Sequence, residues 1–312
     1  MDRNNRMWKG RSVFVTGGTG LLGGWVVRQL LSVGAEVTAL VRDHNPNSMM
    51  VREGMGERVN HVFGKLEDAD LLKRALAEYG VETVFHLAAQ PLVGVAKIDP
   101  VGTLRINVEG TWNVLEAART TGVKQTVVAS SDKAYGSSDR LPYTEDHPLQ
   151  GAYPYDASKS CTDLISNMYA ATYGMNVGVV RCANLFGGGD LNFSRTFPGV
   201  IKSTYYGDRF QIRSDGQFVR DFLYVKDAAD AYLLMAEAME GGIRPGAVNF
   251  SLESRLTVVE CVDLVLNLMG RPELKPVILN QASAEIREQY MSCEKAANRS
   301  EERRVGKECR SR

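Results

Sequence analysis

The sequence predicts an α/β fold: a doubly wound parallel sheet with a smaller C-terminal lobe. Three observations predict it. Short apolar segments rich in Val, Phe and Thr alternate with amphipathic stretches of helical length over the first two-thirds of the chain. Strands buried on both faces and joined by helices close into a parallel sheet through right-handed crossovers. A glycine-rich turn, Gly17 to Gly23, separates the first such strand from the first such helix.

Taken in order, the expected strands are 12–15, 36–41, 59–63, 83–87, 125–129 and 176–181. Between them the spacing predicts helices over 21–33, 71–79, 103–121 and 157–173. Regularity weakens after Gly187, where Gly187-Gly188-Gly189, Gly241-Gly242 and Pro245-Gly246 punctuate shorter elements. A helix over 225–240 is expected to return to the main sheet. These shifts assign 1–184 and 225–252 to the sheet domain and 185–224 and 253–298 to the smaller lobe. Residues 299–312 (RSEERRVGKECRSR) are charged and aperiodic. They are expected to form a solvated, disordered tail.

Composition narrows the function. The 312 residues suffice for one large α/β unit with a substantial core. Lys plus Arg equals Asp plus Glu at 37 each, so no net field draws in nucleic acid or an acidic membrane surface. No apolar run nears the roughly 20 residues of a membrane-spanning helix, and the polar start does not resemble a secretory signal. Cys161, Cys182, Cys261, Cys293 and Cys309 are odd in number and unpaired in spacing, as in a reducing, cytoplasmic enzyme. Four scattered histidines offer no metal site.

The turn Gly17-Gly18-Thr19-Gly20-Leu21-Leu22-Gly23 fits a dinucleotide pyrophosphate. Gly17 allows a tight turn, Gly20 lets the backbone approach the phosphates, and Gly23 lets helix and strand pack closely. Unpaired N–H groups at the helix start then receive the anion, making Thr19, Leu21 and Leu22 candidate contacts as well. Asp43 stands 20 residues beyond Gly23, where a carboxylate would hold the ribose hydroxyls of NAD. Arg42 beside it could meet a 2′-phosphate instead, so NAD is favoured over NADP without excluding it.

Tyr155 and Lys159 are four residues apart and share a helical face. A nearby ammonium favours the phenolate, so Lys159 is expected to lower the Tyr155 pKa toward a general base's range. Ser131 ends the strand expected at 125–129, on the side of an open sheet where such folds bind ligand.

With these residues in place, the chain resembles the extended short-chain dehydrogenases/reductases, the nucleotide-sugar epimerase and dehydratase superfamily. The matching segments are TGGTGLLG at 16–23, HLAAQ at 86–90, NVEGT at 107–111, SSDKAYG at 130–136, YDASK at 155–159, RCANLFGGG at 181–189 and RDFLYVKD at 220–227. The resemblance implies NAD in a Rossmann domain, contacted also by Leu66, Leu87, Ala88, Ala89, Tyr155 and Lys159. It implies a nucleoside-diphosphate sugar in the smaller lobe, with Gln90, Asn184 and Arg220 as substrate contacts. Asn107 and His86 match family positions too, but bracing a helix and packing a strand end remain open as their roles. A homodimer paired through the helices at 103–121 and 157–173 is likewise implied.

Within the family, Asp132 and Lys133 discriminate. An epimerase needs no acid/base pair there, whereas a 4,6-dehydratase must remove the C5 proton and protonate the departing C6 oxygen. Asp-Lys resembles the CDP-glucose 4,6-dehydratases; AAQPLVGV at 88–95 resembles the GDP-mannose branch, and dTDP-glucose stays open. The resemblance implies that Lys133 acts as base, which requires a depressed pKa, and Asp132 as acid. A 4-epimerase and a silent nucleotide-binding scaffold are the competing readings. One departure is Lys65 after Gly64, where the family carries an acidic residue contacting adenine; that contact is expected either to pass to Asp68 or to be weaker. A second is the segment from about 299: the family continues past a segment like SCEKAA at 292–297 with another strand and helix, so the resemblance implies a foreign tail and a lobe cut short.

Overall fold

In the computed structural model, which describes residues 5–281 and 285–299, seven parallel strands form the main sheet. They are β1 (Ser12–Thr16), β2 (Glu36–Val41), β3 (Val59–Phe63), β4 (Thr83–His86), β5 (Gln125–Ser131), β6 (Val177–Cys182) and β7 (Ala247–Phe250). Their order across the sheet is β7-β6-β5-β4-β1-β2-β3. The chain therefore winds outward from β1 to β3, then jumps back to place β4 on the other side of β1. Carboxyl ends diverge at such a reversal and open a crevice for ligand.

The main helices are α1 (Leu21–Ser32), α2 (Ala69–Glu78), α3 (Gly110–Thr121), α4 (Pro154–Tyr173) and α5 (Val225–Glu240). In β1, Val13 and Val15 pack toward α1 and α5, whereas Phe14 packs toward α2 and α3. That alternation is the period-two geometry of a strand covered on both sides. Phe14 is wholly buried, worth about 1.5–3 kcal/mol in transfer from water.

Two expectations change in detail. The helix expected over 103–121 is divided into Pro100–Leu104, a widened π turn at Arg105–Glu109, and α3. The Asn107 carbonyl accepts hydroxyls from Thr111 at 2.5 Å and Thr162 at 3.1 Å, a competition that loosens regular helical bonding. Strand β7 was not among the expected strands. Its pattern is broken by Asn249, wholly buried because its amide oxygen accepts the Tyr135 hydroxyl and its nitrogen donates to the Tyr143 carbonyl.

Beyond β6, smaller sheets form. Asn184–Phe186 pairs in parallel with Phe222–Tyr224. Val219–Arg220 lies between Leu256–Thr257 and Glu288–Gln289. Helices Thr196–Tyr206 and Val258–Leu268 enclose a separate apolar cluster of Val200, Ile212, Val262, Val265 and Leu266. A helix at Glu294–Arg299 includes the first residue of the expected tail; residues 300–312, with Cys309, lie outside the described residues, as do residues 1–4. Among the described residues, no helix is long and apolar enough to cross a membrane.

Candidate active site

A cleft of about 1390 Å³ runs along the carboxyl ends of the strands and continues beneath the smaller sheets. Its first wall is built from backbone. Gly17 has φ +77°, and a Cβ there would lie 2.8 Å from the Ala88 nitrogen. A Cβ on Gly23 would stand 2.0 Å from the Gly17 carbonyl oxygen, so helix and turn meet only because no side chain intervenes. Gly20 is the N-cap of α1 and brings no side-chain acceptor, leaving the first-turn N–H groups for an outside anion. Gly17, Thr19, Gly20, Leu21, Leu22 and Gly23 all line the cleft, as do Leu66, Leu87, Ala88 and Ala89. This cradle fits a dinucleotide diphosphate.

Arg42 and Asp43 stand at the far end of that wall, both mostly exposed, with Arg42 Nε donating to Asp43 Oδ2 at 2.5 Å. Asp68 does not contribute: its carboxylate caps α2 by accepting from the Leu71 N–H at 3.0 Å. Lys65 and Glu67 line the cleft in its place. His86 is a strut. Buried at the end of β4, it bonds to Thr16 at 2.9 Å and Thr111 at 3.2 Å. Burial, helped by the Lys159 charge, pulls its pKa down to about 3 and keeps the ring neutral.

The opposite wall is built from side chains. Ser131, Asp132 and Lys133 follow one another where β5 ends in a short 3-10 turn, Asp132–Tyr135. Tyr155 and Lys159 reach the same space from the first turns of α4, and all five line the cleft. Ser131 Oγ donates to Asp132 Oδ1 at 2.8 Å and also hydrogen-bonds the Tyr155 phenol. The second oxygen of Asp132 is buried with no hydrogen-bond partner among the described residues. Such an orphan carboxylate oxygen is costly unless a ligand completes it.

Burial pulls the Lys133 amine below the ordinary lysine value; Asp132 opposes this and Arg220 adds to it. Its Nζ donates to Gln289 Oε1 at 2.5 Å. Lys159 is drawn down to about 8 by burial, with Asp163 opposing, and its ammonium donates to the Ala129 carbonyl at 2.9 Å. The expectation for Tyr155 is corrected. Burial first, then the charges of Asp132 and Asp156, push its phenol up; the relief comes from Arg195 and the Ser131 hydrogen bond, not from Lys159.

The residues expected to contact substrate divide. Asn184 and Arg220 line the cleft. Asn184 Nδ2 donates to the Asp221 carbonyl at 3.0 Å, and Arg220 donates to the Val219 and Arg287 carbonyls at 2.9 and 3.1 Å. Gln90 is corrected: its amide is spent on its own turn, accepting from the Leu92 N–H at 2.6 Å and donating to Thr103 at 2.9 Å. Asn107 holds that turn from the helix side, bonding both Gln90 backbone groups and the Ser158 hydroxyl.

Four residues were missed in the sequence. Asp156, Arg195 and Glu285 line the cleft, and Gln289 touches Lys133 from a strand 156 positions away. Burial, with Asp132 adding, raises the Asp156 carboxyl to about 6 while Lys133 opposes. Only Asp156, inside YDASK, stood close to a recognised motif.

A family model described as the NAD dependent epimerase/dehydratase family matches residues 13–250. A CDP-glucose 4,6-dehydratase of Salmonella typhimurium is 30% identical over 86% of this chain and 79% of that enzyme. A UDP-glucose 4-epimerase of Mycolicibacterium smegmatis is 32% identical over 74% of each chain. In three dimensions, a dTDP-glucose 4,6-dehydratase from Streptomyces venezuelae with NAD bound superposes with a TM-score of 0.84 at 28% identity, over 95% of this chain and 91% of that one.

Proposed function

The chain belongs to the NAD dependent epimerase/dehydratase family, and from that premise we propose that it dehydrates a nucleoside-diphosphate hexose to the 4-keto-6-deoxy sugar. The observation that carries this reading is buried Asp132 with half-buried Lys133 next to it at the end of β5, beside Ser131 and Tyr155 in one cleft. An enzyme that only oxidises and re-reduces C4 has no use for an extra buried acid and a lysine pulled below its usual pKa.

The glycine cradle, Arg42, Asp43, Leu66 and Leu87–Ala89 would hold NAD. Bound nicotinamide supplies a positive ring charge, hydride acceptance from C4 and hydride return to C6. Ser131 orients the C4 hydroxyl, and Tyr155 takes its proton as the phenolate, a state that the positive charge of bound nicotinamide would favour against the upward push of burial and of Asp132. The 4-keto group acidifies C5–H, and neutral Lys133 removes that proton. Protonated Asp132 donates to the C6 hydroxyl, which leaves as water and opens a C5–C6 double bond. Once C6 is reduced, Lys133 returns a proton to C5. Lys159 anchors the strand end beside Tyr155 through Ala129, and Asn184 and Arg220 hold the sugar diphosphate.

CDP-glucose is the substrate favoured by Asp-Lys and by the Salmonella relative; dTDP-glucose and GDP-mannose follow. The division into a sheet domain at 1–184 and 225–252 and a sugar lobe at 185–224 and 253–298 belongs to the same proposal. So does a cytoplasmic homodimer, supported by exposed Trp112, Leu164 and Met168 on the helices that would pair.

A 4-epimerase is the second reading, favoured by the 32% identity to the Mycolicibacterium smegmatis enzyme. Incubation with NAD and each of CDP-glucose, dTDP-glucose, GDP-mannose and UDP-glucose separates them by mass. A product lighter by one water supports dehydration; an isobaric product supports epimerisation. NAD binding with no product from any sugar supports a silent scaffold.

A further inference from the structure

We propose that Gln289 is the positioning residue for Lys133: a neutral acceptor, contributed by the C-terminal strand, that aims the amine without supplying it a charge. This rests on the reading of Lys133 as the base.

Gln289 is wholly buried and pairs across the small sheet with Arg220, which lines the cleft. Its Oε1 accepts from Lys133 Nζ, yet its Nε2 is buried with no partner among the described residues. A glutamine kept only for packing would satisfy both ends of its amide, or be replaced by an apolar residue of the same size. Here only the end facing Lys133 is satisfied.

The choice of amide over carboxylate follows from what a base needs. A glutamate at this position would form a buried ion pair and stabilise the ammonium. An amide oxygen accepts a hydrogen from the amine whether charged or neutral, so it fixes direction in both states. With one N–H held by Gln289, the lone pair of neutral Lys133 is free for the cleft. Burial and the Arg220 charge both favour the neutral amine, and Arg220 is the register partner of Gln289. The groups facing Lys133 are therefore Asp132 on its own turn, Asp156 on α4, Arg220 and Gln289 on the small sheet, and Glu285 ahead of it. The base comes from the sheet domain and its aim from the C-terminal strands.

The test uses the full-length protein with Gln289→Glu and Gln289→Met. Selective ¹³Cε-lysine labelling, with the Lys133 signal assigned by Lys133→Arg, reads the amine titration by NMR whatever reaction the protein catalyses. Gln289→Glu is expected to raise that titration by about one unit or more, and to move the ascending limb of kcat for water loss equally. Gln289→Met is expected to lower kcat roughly 10- to 100-fold with KM unchanged, as a misaimed base would. NAD binding reports that each variant is folded. An unchanged Lys133 titration in folded Gln289→Glu overturns the inference, as does an unchanged kcat in Gln289→Met. Failure of the functional reading looks different: wild-type protein releases no water from any of the four sugars while the titration still shifts.

Discussion

The two walls of the cleft are made of different material. At the end of β1, the cofactor wall is backbone: its defining requirements are a positive φ at Gly17 and a missing Cβ at Gly23. At the end of β5, the reacting wall is a cluster of buried ionisable side chains from β5, α4 and the small sheets. The first constraint is steric, and seven consecutive residues satisfy it. The second is electrostatic, satisfied by charges whose burial costs are offset by partners far along the chain. A backbone site is therefore robust to charge changes and intolerant of a methyl group, while a side-chain site is the reverse.

The largest expected effect is on the scaffold behind the reacting wall. Asp163 and Arg181 form a buried pair at 2.8 Å, joined by the Ser130 hydroxyl. Asp163→Leu strands the Arg181 guanidinium and is expected to destabilise by about 3–5 kcal/mol in urea unfolding. A loss under about 1 kcal/mol would mean that charge burial is not what distinguishes the two walls.

Next comes chemistry. Lys133→Met is expected to reduce water elimination at least about 100-fold while leaving NAD affinity within about twofold, because Lys133 is not among the residues expected to hold NAD. On the other wall, Gly23→Ala meets the Gly17 oxygen and is expected to cost about 1–3 kcal/mol of stability, together with NAD affinity read by fluorescence titration. Gly20→Ala, whose Cβ would meet Gly17 O at 3.2 Å, is expected to unfold near wild type.

The smallest effect concerns pH. Asp156 has a folded pKa of about 6, above its ordinary 3.8. The folded state thus holds a proton the unfolded chain has released, so this group's contribution to stability is full below 3.8 and is lost as pH rises through about 6. Asp156→Asn is expected to flatten the stability–pH curve across that window. The same carboxylate raises the Lys133 pKa, so its removal moves the ascending limb of kcat to lower pH, opposite to Gln289→Glu. A shift of the same sign in both variants would break the electrostatic account.

This contrast also explains what could be read from the sequence. Strands at 36–41 and 59–63 fall where their apolar runs stand, and the glycine turn sits between β1 and α1, because local patterning specifies both. Pro154 starts α4 three residues before the expected 157, since its fixed φ already suits a first turn. Strand β7 stayed hidden because polar Asn249 interrupts its short apolar run, yet is buried by long-range hydrogen bonds. Gln90 looked like a contact by its place in HLAAQ, but its side-chain amide is turned inward by Thr103 and the Leu92 backbone. Gln289 and Arg195 carry no motif at all; only the folding of distant segments onto one cleft gives them a role.

The most direct measurement is the product formed from CDP-glucose and NAD in deuterated water. A sugar lighter by one water and carrying one solvent deuterium at C5 is the expected result, with both changes lost in Lys133→Met. An isobaric C4 epimer with no deuterium at C5, or the same light product from Lys133→Met at the wild-type rate, would contradict the account.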